Sequence, residues 1–381
     1  MSYQSAWMNP ELSAFRDQFR RFLQSDLAPR AESWRRAKMV DRDAWRALGD
    51  MGALLPSAPE AYGGIGGSFA YEAAVIEDIV ALVPDMATGV SVHSAIVAHY
   101  ILNYGSPEQK QRWLPKMARG EFIGAIAMTE PGAGSDLQAV RTSAKKTGNS
   151  YVLNGQKTFI TNGAAADLVI VVARTGEPGA KGLSLIVVET KECDGFRRGR
   201  SLDKIGLHAS DTAELFFEEA IVPPENLLGG EEGQGFVQLM QQLPQERLIL
   251  AVGSVAAIES AVATTVDYTK QRKAFGKPLF EFQNTAFKLA ERKTEATIAR
   301  VFVDHCIGRM IAGELDTVTA SMAKYWCSEK QAETADECLQ LHGGYGYMEE
   351  YPIARMFVDA RIQKIYGGAN EIMKVIIARS L

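Results

Sequence analysis

The chain has 381 residues, of which 46% are hydrophobic and 23% charged, so it is long enough for two or three packed globular domains. Its net charge of -5 provides no basic field for a nucleic-acid backbone, and nucleic acid is not expected as a partner. The four cysteines have no CxxC spacing and the five histidines form no HExxH motif, so neither a disulfide framework nor a metal site is predicted. The N-terminal segment lacks a basic region followed by an apolar one, and no run of about 18 apolar residues occurs. We therefore expect a cytoplasmic protein without membrane insertion.

Three regions of different texture follow one another along the chain. Residues 1–121 show helical spacing of apolar residues and predict an N-terminal α-helical domain. Residues 122–235 contain short β-rich runs separated by Gly, Asn, Asp and Pro, which predict an antiparallel, barrel-like β domain. Residues 236–381 predict a C-terminal four-helix bundle, with long helical segments at 245–270, 284–312 and 317–341. Because strands and helices do not alternate, the predicted fold class is multidomain α+β and not a doubly wound sheet.

Familiar nucleotide-binding and hydrolase motifs are missing from the sequence, which has no GxxxxGK[ST] loop, no GxSxG elbow and no strand–GxGxxG–helix unit. The Gly-rich segment TEPGAGSD at 129–136 lets a ligand approach the backbone, although an ordinary loop is an equally good interpretation. In QKTFITNG at 156–163, strand alternation predicts that Phe159 and Thr161 face the same way. They would then flank a flat ring, whereas a place in the core is the commoner role for such a phenylalanine.

The segment LPQERLILA at 243–251 places one carboxylate, Glu246, at the predicted start of a helix, followed by apolar residues. Burial penalises the ionised form and raises the pKa of a carboxyl, so Glu246 is a candidate base tuned toward neutral pH. The alternative is an ordinary helix-start acid beside Arg247, which would stabilise the helix by about 0.3–1 kcal/mol.

Two later segments combine glycine with aromatic and polar residues. QRKAFGKPLFEFQ at 271–283 ends a helix and offers Arg272 as a candidate phosphate contact. In QLHGGYGY at 340–347 the paired glycines permit close backbone approach. His342 in this segment is expected to pack or form hydrogen bonds, because no second metal ligand lies near it in the sequence.

The tail RIQKIYGGANEI contains a glycine break, Gly367 and Gly368, which is either a ligand contact or a simple turn. Taken together, TEPGAGSD, QKTFITNG, QRKAFGKPLFEFQ, QLHGGYGY and IYGGANEI resemble the acyl-CoA dehydrogenase family, in the family's order and over almost the whole chain. The resemblance implies FAD as cofactor, with its flavin between the β domain and the C-terminal bundle and Thr161 near the reactive nitrogen.

The resemblance also implies the site residues. FAD would be contacted by Met128, Thr129, Ser135, Phe159, Ile160 and Thr161, and by a set shared with a neighbouring subunit: Arg272, Phe275, Gln283, Gln340, Leu341, His342, Gly343, Gly344, Ala369, Asn370 and Glu371. The acyl-CoA would be contacted by Ser135, Leu243, Pro244, Gln245, Arg247, Gly367 and Gly368. A homotetramer is implied by the shared cofactor site.

The position of the catalytic base distinguishes members of this family. Many carry the glutamate in a YEG motif, but here the residue after Tyr366 is Gly367. LPQER with YGGxNEI resembles instead the long-chain and isovaleryl-type subgroup, whose glutamate lies on the first long helix of the C-terminal bundle. Glu246 is then the base, and the backbone N–H of Gly367 stabilises the thioester oxygen. Ala369 replaces the usual threonine, which removes a hydroxyl from the flavin phosphate region.

The implied activity is FAD-dependent α,β-dehydrogenation of an acyl-CoA to the trans-2-enoyl-CoA, a step of fatty-acid β-oxidation. Glu246 takes the α-proton, a hydride leaves the β-carbon for the flavin, and the electrons pass to an electron-transfer flavoprotein. The alternatives are an acyl-CoA oxidase or flavin monooxygenase on the same scaffold, and a non-catalytic acyl-CoA-binding scaffold. Gly253, Ala256 and Ala257 either leave room for a longer acyl chain or let helices pack closely, and close packing is the expectation.

Overall fold

The computed structural model describes residues 3–381, which form a helical region, a β region and a second helical region in chain order. The helices are α1 (Pro10–Phe22), α2 (Ala31–Ala37), α3 (Arg42–Asp50), α4 (Phe69–Leu82), α5 (Ala87–Val90), α6 (Ala98–Tyr104), α7 (Pro107–Ala118), α8 (Gly235–Gln271), α9 (Gln283–Ile311), α10 (Thr317–His342), α11 (Pro352–Ala360) and α12 (Asn370–Ala378). The strands are β1 (Gly124–Ala127), β2 (Ser143–Thr147), β3 (Ser150–Thr161), β4 (Leu168–Arg174), β5 (Leu183–Glu189), β6 (Phe196–Ser201), β7 (Thr212–Val222), β8 (Lys273–Ala274) and β9 (Lys277–Pro278). The predicted fold class is confirmed.

The N-terminal helices form because caps and apolar spacing coincide. Asn9 caps α1 by accepting a hydrogen bond from the backbone N–H of Leu12, and Pro10 occupies the first turn, where its missing N–H costs nothing. α4 is buried on almost every side, which suits a central helix of the domain. Between α5 and α6 the segment Ser91–Val97 is a π-helix, a form that is rare and frequent at functional sites.

Seven strands of the middle region form one sheet in the order β1-β4-β2-β3-β7-β6, with β5 also paired to β4. Most pairings are antiparallel, as predicted, but β1 and β2 pair with β4 in parallel. The sequence did not indicate β2 and β6 because their residues are largely polar and exposed, so they lack the alternation of a half-buried strand. β4 and β5 are buried along nearly their whole length and form the centre of the β core.

Three long helices, α8, α9 and α10, dominate the C-terminal region, and the shorter α11 and α12 pack against them. α9 and α10 agree closely with the predicted segments. α8 does not, because it begins at Gly235 and continues through Pro244 in its interior. The predicted start near residue 245 is wrong: proline is typical of a first helical turn, and here the helix accommodates it instead.

α8 is also long and apolar enough, by length and composition alone, to cross a membrane. More than half of its most apolar stretch is buried inside the protein, as expected for the core helix of a packed domain. The prediction that the chain does not insert into a membrane therefore stands unchanged.

Candidate active site

Glu246 lies in the interior of α8, about three turns after its first residue. The residue is only 5% exposed. Burial raises the pKa of its carboxyl to about 7, while a hydrogen bond from Tyr100 and the charge of Arg247 act in the opposite direction. The interpretation of Glu246 as an ordinary helix-start acid is therefore wrong, and the expectation of a buried, tuned carboxyl is met.

Two hydrogen bonds join α8 to the first domain beside this carboxyl. Tyr100 on α6 is fully buried, and its hydroxyl donates to Glu246 Oε1 at 2.7 Å. Gln245 Nε2 donates to the carbonyl oxygen of Ala95, in the π-helical segment Ser91–Val97, at 2.9 Å. Within residues 3–381, Tyr100 is the only side chain that forms a hydrogen bond with the Glu246 carboxyl.

The glycine break lies against the same face of α8. Gly367 has φ +61° and Gly368 φ +91°, conformations that strongly favour glycine. A Cβ at position 367 would lie 2.3 Å from Leu250 Cδ1, one helical turn beyond Glu246. Leu250 thus fills the space that a side chain at position 367 would need. The N–H of Gly367 has no hydrogen-bond acceptor in the described part of the chain.

A buried polar network holds this break against α10. Lys324 Nζ donates to the carbonyl oxygen of Gly368 at 2.7 Å and to Asn370 Oδ1 at 3.0 Å. Asn370 Nδ2 in turn donates to Ser328 Oγ at 3.0 Å and to Glu329 Oε1 at 3.1 Å. Because the Asn370 side chain is engaged inside the chain, only its backbone is left to meet a cofactor.

The start of α12 follows directly. Ala369 precedes its first turn and offers no side chain to accept a hydrogen bond from the N–H groups there. Glu371 in that turn is exposed. The missing threonine hydroxyl therefore leaves the helix N-terminus uncapped, in addition to any effect on a bound ligand.

A narrow cavity of about 120 Å³ runs along α8 from Ile249 to Ala261. It begins one turn beyond Glu246 and extends about 18 Å along the helix axis, at 1.5 Å per residue. Other elements contribute mainly apolar walls, including those formed by Ile76, Val80, Ala335, Pro352 and Met356. Polar and charged side chains also line the cavity: Thr88, Ser91, Gln331, Gln363, Tyr366, Asp85, Arg355 and Asp359.

Small residues of α8 open this cavity. Gly253 and Ala257 line it, so the expectation that they only allow close helix packing is wrong for both. Ala256 is buried and does not line the cavity, which agrees with a packing role. A Cβ at position 253 would lie 3.7 Å from both Ile76 Cγ2 and Val80 Cγ2, so even one methyl group would narrow the passage.

A buried lysine joins the two segments expected around the flavin ring. Lys157 Nζ donates to the carbonyl oxygens of Met128 and Val172, at 3.1 and 2.7 Å, and to Glu130 Oε1 at 2.8 Å. Burial lowers the pKa of Lys157 to about 8, against the opposing effect of Glu130. The lysine fixes the loop at 128–130 to the face of the sheet.

The loop and β3 are also joined through their backbones, since the Thr158 N–H donates to the carbonyl oxygen of Thr129 at 2.9 Å. Phe159 has φ +60° and is 67% exposed, so the core role is wrong for it. The pairing of β3 with β7 shifts register just before the buried Ile160, so regular alternation does not set the direction of Phe159. Phe159 and the half-buried Thr161 both stay out of the core.

Ser135 lies exposed in the loop that follows. The loop turns tightly, with Glu130 and Ala133 exchanging backbone hydrogen bonds. A Cβ at Gly132 or Gly134 would meet nothing within 4 Å, so both glycines border open space where a ligand can approach the backbone.

The end of β3 is tied to the wall of the cavity. Asn162 Nδ2 donates to the carbonyl oxygens of Gly89 and Gly124, both at 3.0 Å. Thr88, next to Gly89, lines the cavity and is a hydrogen-bond partner of the Tyr366 hydroxyl. The structure therefore brings together Thr161 at the end of β3, the cavity and the glycine break.

The FAD contacts predicted at 272–283 lie far from Glu246. Arg272 follows Glu246 by twenty-six residues along α8, which is about 39 Å at 1.5 Å per residue. Its guanidinium stacks on Tyr345, 5.3 Å from the ring centroid, so it lies beside the predicted loop at 340–344. Phe275 is 96% exposed with φ +50°, and Gln283 is exposed as well.

The loop at 340–344 presents mainly backbone. Gln340 is exposed and Leu341 half-buried, and Gly343 and Gly344 have open space where a Cβ would stand. His342 is buried, stacks on Tyr268 at 4.1 Å, and pairs its Nδ1 with the carbonyl oxygen of Cys338 at 2.8 Å. The packing role expected for His342 is confirmed.

Of the predicted acyl-CoA contacts on α8, Leu243 and Pro244 are half-buried, and Arg247 is buried with its Nη1 3.2 Å from Ser321 Oγ. Sequence reasoning missed Tyr100, Lys157 and Lys324. Lys157 lies inside QKTFITNG, and the sequence carried a signal for it. A lysine that a strand turns toward the core must be paired, because an unpaired buried charge is costly. Tyr100 and Lys324 carry no comparable signal.

A buried carboxyl with a pKa raised to about 7, a backbone N–H without an acceptor in the described residues and a mainly apolar cavity therefore lie along α8. This arrangement is chemically suited to taking a proton from a carbon next to a polarised carbonyl. The acyl-CoA dehydrogenase models match in three parts: the N-terminal domain at residues 9–121, the middle domain at 125–220 and the C-terminal domain at 233–381.

Individual relatives agree. The long-chain specific acyl-CoA dehydrogenase of Sus scrofa mitochondria is 51% identical over 374 residues, which cover 97% of this chain and 86% of that protein. The crystal structure of an acyl-CoA dehydrogenase from Geobacillus kaustophilus has 48% identity and a TM-score of 0.96, covering 99% of each chain. A glutaryl-CoA dehydrogenase from Mycobacterium smegmatis, solved in complex with FADH2, has 28% identity and a TM-score of 0.92, covering 98% of this chain and 95% of that one.

The chain belongs to the acyl-CoA dehydrogenase family. It is therefore an oxidoreductase of acyl-CoA thioesters in a family of flavoproteins.

Proposed function

We propose that the chain binds FAD and dehydrogenates long-chain acyl-CoA thioesters between the α- and β-carbons, with Glu246 as the base. The observation that carries this proposal is the buried Glu246 carboxyl, whose pKa is about 7, one turn from the cavity and on the face of α8 that meets the glycine break. A base with a pKa near the working pH combines a useful ionised fraction with proton affinity, and typically contributes ~10²–10⁴-fold to the rate.

The N–H of Gly367 would assist this proton transfer. Negative charge builds on the thioester oxygen as the α-proton leaves, and an unpaired backbone donor aimed at that oxygen stabilises it. Loss of one such donor in other enzymes costs about 2.7–4 kcal/mol. The left-handed backbone at Gly367 leaves this N–H without an internal acceptor, so it is free to bind the substrate.

The residues around the end of β3 fit FAD. Phe159 is an exposed aromatic in a strained backbone conformation, and such outliers persist where the surrounding structure demands them. Phe159, Ile160 and Thr161 would border the flavin ring on one side, with Met128, Thr129 and Ser135 on the adjoining loop. When bound, FAD supplies the two-electron acceptor for the β-hydrogen. Lys157 holds the loop at 128–130 and the strand in register for that binding.

The length of the cavity supports a long acyl chain. An extended chain advances about 3.3–3.6 Å per three bonds, so the 18 Å of lining from Ile249 to Ala261 corresponds to roughly fifteen carbon atoms. The Sus scrofa relative is named for long-chain substrates, which agrees with this length.

A second copy of the chain would complete the cofactor site. Arg272, Phe275 and the loop at 340–344 lie about 39 Å along α8 from Glu246, too far to share one flavin site with it in the same chain. If these residues contact FAD, they contact the cofactor of another copy. Phe275 is 96% exposed and has φ +50°, a backbone conformation uncommon for a residue other than glycine, and another copy would cover it in such an interface. A homotetramer satisfies this requirement for every copy.

The family resemblance implies an electron-transfer flavoprotein as the electron acceptor, and cytoplasmic location stays a prediction. The competing oxidase would pass the electrons to oxygen and release hydrogen peroxide.

Anaerobic titration with saturated acyl-CoAs, followed by the visible absorption of the flavin, tests the proposal. The wild-type protein should bleach with long-chain substrates, and Glu246→Gln should stay yellow with FAD bound and lose nearly all bleaching. Asp267→Asn is a matched control, because Asp267 is an exposed acid on the same helix, and this variant should bleach normally.

Three outcomes would contradict the proposal. Normal bleaching of Glu246→Gln removes Glu246 from its role. Absence of flavin from purified protein removes the cofactor. Turnover with stoichiometric hydrogen peroxide, undiminished by an electron-transfer flavoprotein, would favour the oxidase.

A further inference from the structure

Tyr100 is an unusual neighbour for a catalytic base. It lies on α6 in the first domain, fully buried, and donates to Glu246 Oε1 at 2.7 Å. No other side chain within residues 3–381 forms a hydrogen bond with this carboxyl, so Oε2 is left free to accept a proton. The tyrosine hydroxyl therefore fixes one oxygen and leaves the other for chemistry.

We propose that Tyr100 is a positioning residue for the reaction: by binding Glu246 Oε1 it orients the carboxylate and keeps it ionised enough to accept the α-proton through Oε2. This inference rests on the proposed role of Glu246 as base. The tyrosine itself does not touch the substrate and stays protonated throughout, because burial and the neighbouring carboxylate raise the pKa of its hydroxyl well above the usual value.

The physical reason is the cost of burying a charge. Glu246 has lost its water shell, and a buried carboxylate without donors is strongly biased to the neutral acid. A hydrogen bond to the charged form favours ionisation, so Tyr100 opposes the effect of burial. Without it, the carboxyl would hold its proton at neutral pH and act poorly as a base.

Other groups near Glu246 do not replace this contact. The charged and titratable side chains on the elements packed around it include Tyr104 on α6, His93 in the π-helical segment, Glu77 and Asp78 on α4, Arg247 on α8, Lys324 on α10 and Tyr366 before the glycine break. His99 on α6 and Glu72 on α4 lie against each other and share Ser57 as a hydrogen-bond partner. Arg247 favours the ionised carboxylate by its charge but directs its Nη1 to Ser321 Oγ. Glu77 and Asp78 are paired with Arg300 and Arg16.

His93 is turned away from the carboxyl. Its Nδ1 accepts from the N–H of Gly124 at 3.0 Å and its Nε2 pairs with the carbonyl oxygen of Met117 at 3.1 Å. Lys324 donates to the carbonyl oxygen of Gly368. None of these groups supplies a second hydrogen bond to Glu246.

The test is the pH dependence of the reductive half-reaction in Tyr100→Phe, which removes one hydroxyl and keeps the ring. Rapid-mixing flavin bleaching with a long-chain acyl-CoA should show an acidic limb moved to higher pH by about one unit or more, because hydrogen bonds to charged groups are worth roughly that shift. At pH 7 a shift of one unit from a pKa of about 7 lowers the ionised fraction, and therefore the rate, about fivefold, and most of the rate should return at pH 9.

Tyr104→Phe is the matched control. Tyr104 lies one turn further along α6, with its ring 6.2 Å from that of Tyr100. Its single O–H is directed at Gln241 Oε1, at 2.9 Å, with the carbonyl oxygen of Gln238 at 3.2 Å, and it does not contact Glu246. Its loss should leave the acidic limb in place. A fluorinated tyrosine at position 100, which is a stronger donor, should move the limb to lower pH and gives a second measurement if Tyr100→Phe folds poorly.

The outcomes separate the two proposals when Glu246→Gln is measured in parallel. If Glu246→Gln does not bleach and Tyr100→Phe keeps the wild-type limb, Tyr100 does not act on the base, although Glu246 remains the base. If Glu246→Gln still bleaches, both proposals fail. A shift of equal size in Tyr104→Phe would assign the effect to general repacking of α6 and overturn the role of Tyr100.

Discussion

Replacing Gly253 with leucine should convert a long-chain enzyme into a short-chain one. Gly253 follows Glu246 by seven residues on α8, about 10 Å along the axis, and it lines the cavity. A Cβ there would already touch Ile76 and Val80 across the passage, at 3.7 Å from each, so a leucine side chain would close it. At about 1.2 Å per bond, room would remain for roughly eight carbons.

The size of the effect follows from the methylenes that lose their burial. The cavity has room for roughly fifteen carbons and the substitution leaves room for roughly eight, so about seven carbons of a hexadecanoyl chain lose their burial. At about 0.8 kcal/mol each, they correspond to roughly 5–6 kcal/mol, or on the order of 10⁴-fold in kcat/KM. Hexanoyl-CoA should change by less than about threefold, because its chain ends before the block. The assay is anaerobic flavin bleaching with saturated acyl-CoAs of graded length.

Gly308→Ala serves as the control for helix propensity, since Gly308 lies on the exposed face of α9 with nothing within 4 Å of a Cβ. It should stabilise the protein by up to about 1 kcal/mol without altering chain-length preference. If Gly253→Leu binds FAD and still oxidises hexadecanoyl-CoA at the wild-type rate, the acyl chain does not run along this cavity and the reasoning is refuted.

Three further predictions concern stability and cofactor retention. The folded-state pKa of Glu246, about 7, exceeds its ordinary 4.5, so its contribution to stability is present below pH 4.5 and lost as pH rises through 7. The free energy of unfolding of Glu246→Gln, measured in denaturant, should therefore rise relative to that of the wild type between pH 5 and pH 8, by up to about 3 kcal/mol. A difference that stays constant with pH would contradict the shift. Ala369→Thr should cap α12 and raise stability by about 0.5–2 kcal/mol in denaturant unfolding, whereas an unchanged midpoint would show that the uncapped turn costs nothing. Lys157→Met leaves Glu130 buried without its ion-pair partner, so it should destabilise the protein by about 3–5 kcal/mol and lower its FAD content. The further change Glu130→Gln should recover part of the lost stability. Full FAD occupancy in Lys157→Met would show that Lys157 does not support cofactor binding.

The architecture was predictable because local patterns decide it. Helical spacing indicated α9 and α10 almost to the residue, and β-rich runs indicated β3, β4, β5 and β7. The polar strands β2 and β6 were not predicted from the sequence. They are strands because they pair with β3 and β7, and their own residues show no alternation of apolar and polar side chains. The start of α8 was predicted too late because Pro244 was taken as typical of a first helical turn. In the structure, the tertiary packing of this long helix outweighs the local preference of that one residue.

The site was predictable only in part. Glu246 could be selected because a single carboxylate stands before an apolar run, yet its burial depends on Tyr100, which lies 146 residues earlier in the chain. Phe159 could not be oriented from alternation, since a register shift and a left-handed backbone set its direction. Gly253 and Ala257 could not be assigned to the cavity, because small residues also serve close helix packing and only the neighbouring elements decide between the two.

One helix explains how these features are related in space. α8 carries the candidate base at Glu246, the cavity lining from Ile249 to Ala261, and Arg272 directly after its end. Because a continuous helix has a fixed rise, α8 sets both the distance from the base to the end of the cavity and the distance from the base to Arg272. The segment from Glu246 to Ala261 determines the first distance, and the segment from Ala261 to Arg272 adds to the second without changing the first. If Arg272 contacts the FAD of another copy, as proposed, a deletion of whole turns between Ala261 and Arg272 should reduce assembly and FAD retention and leave the chain-length preference unchanged.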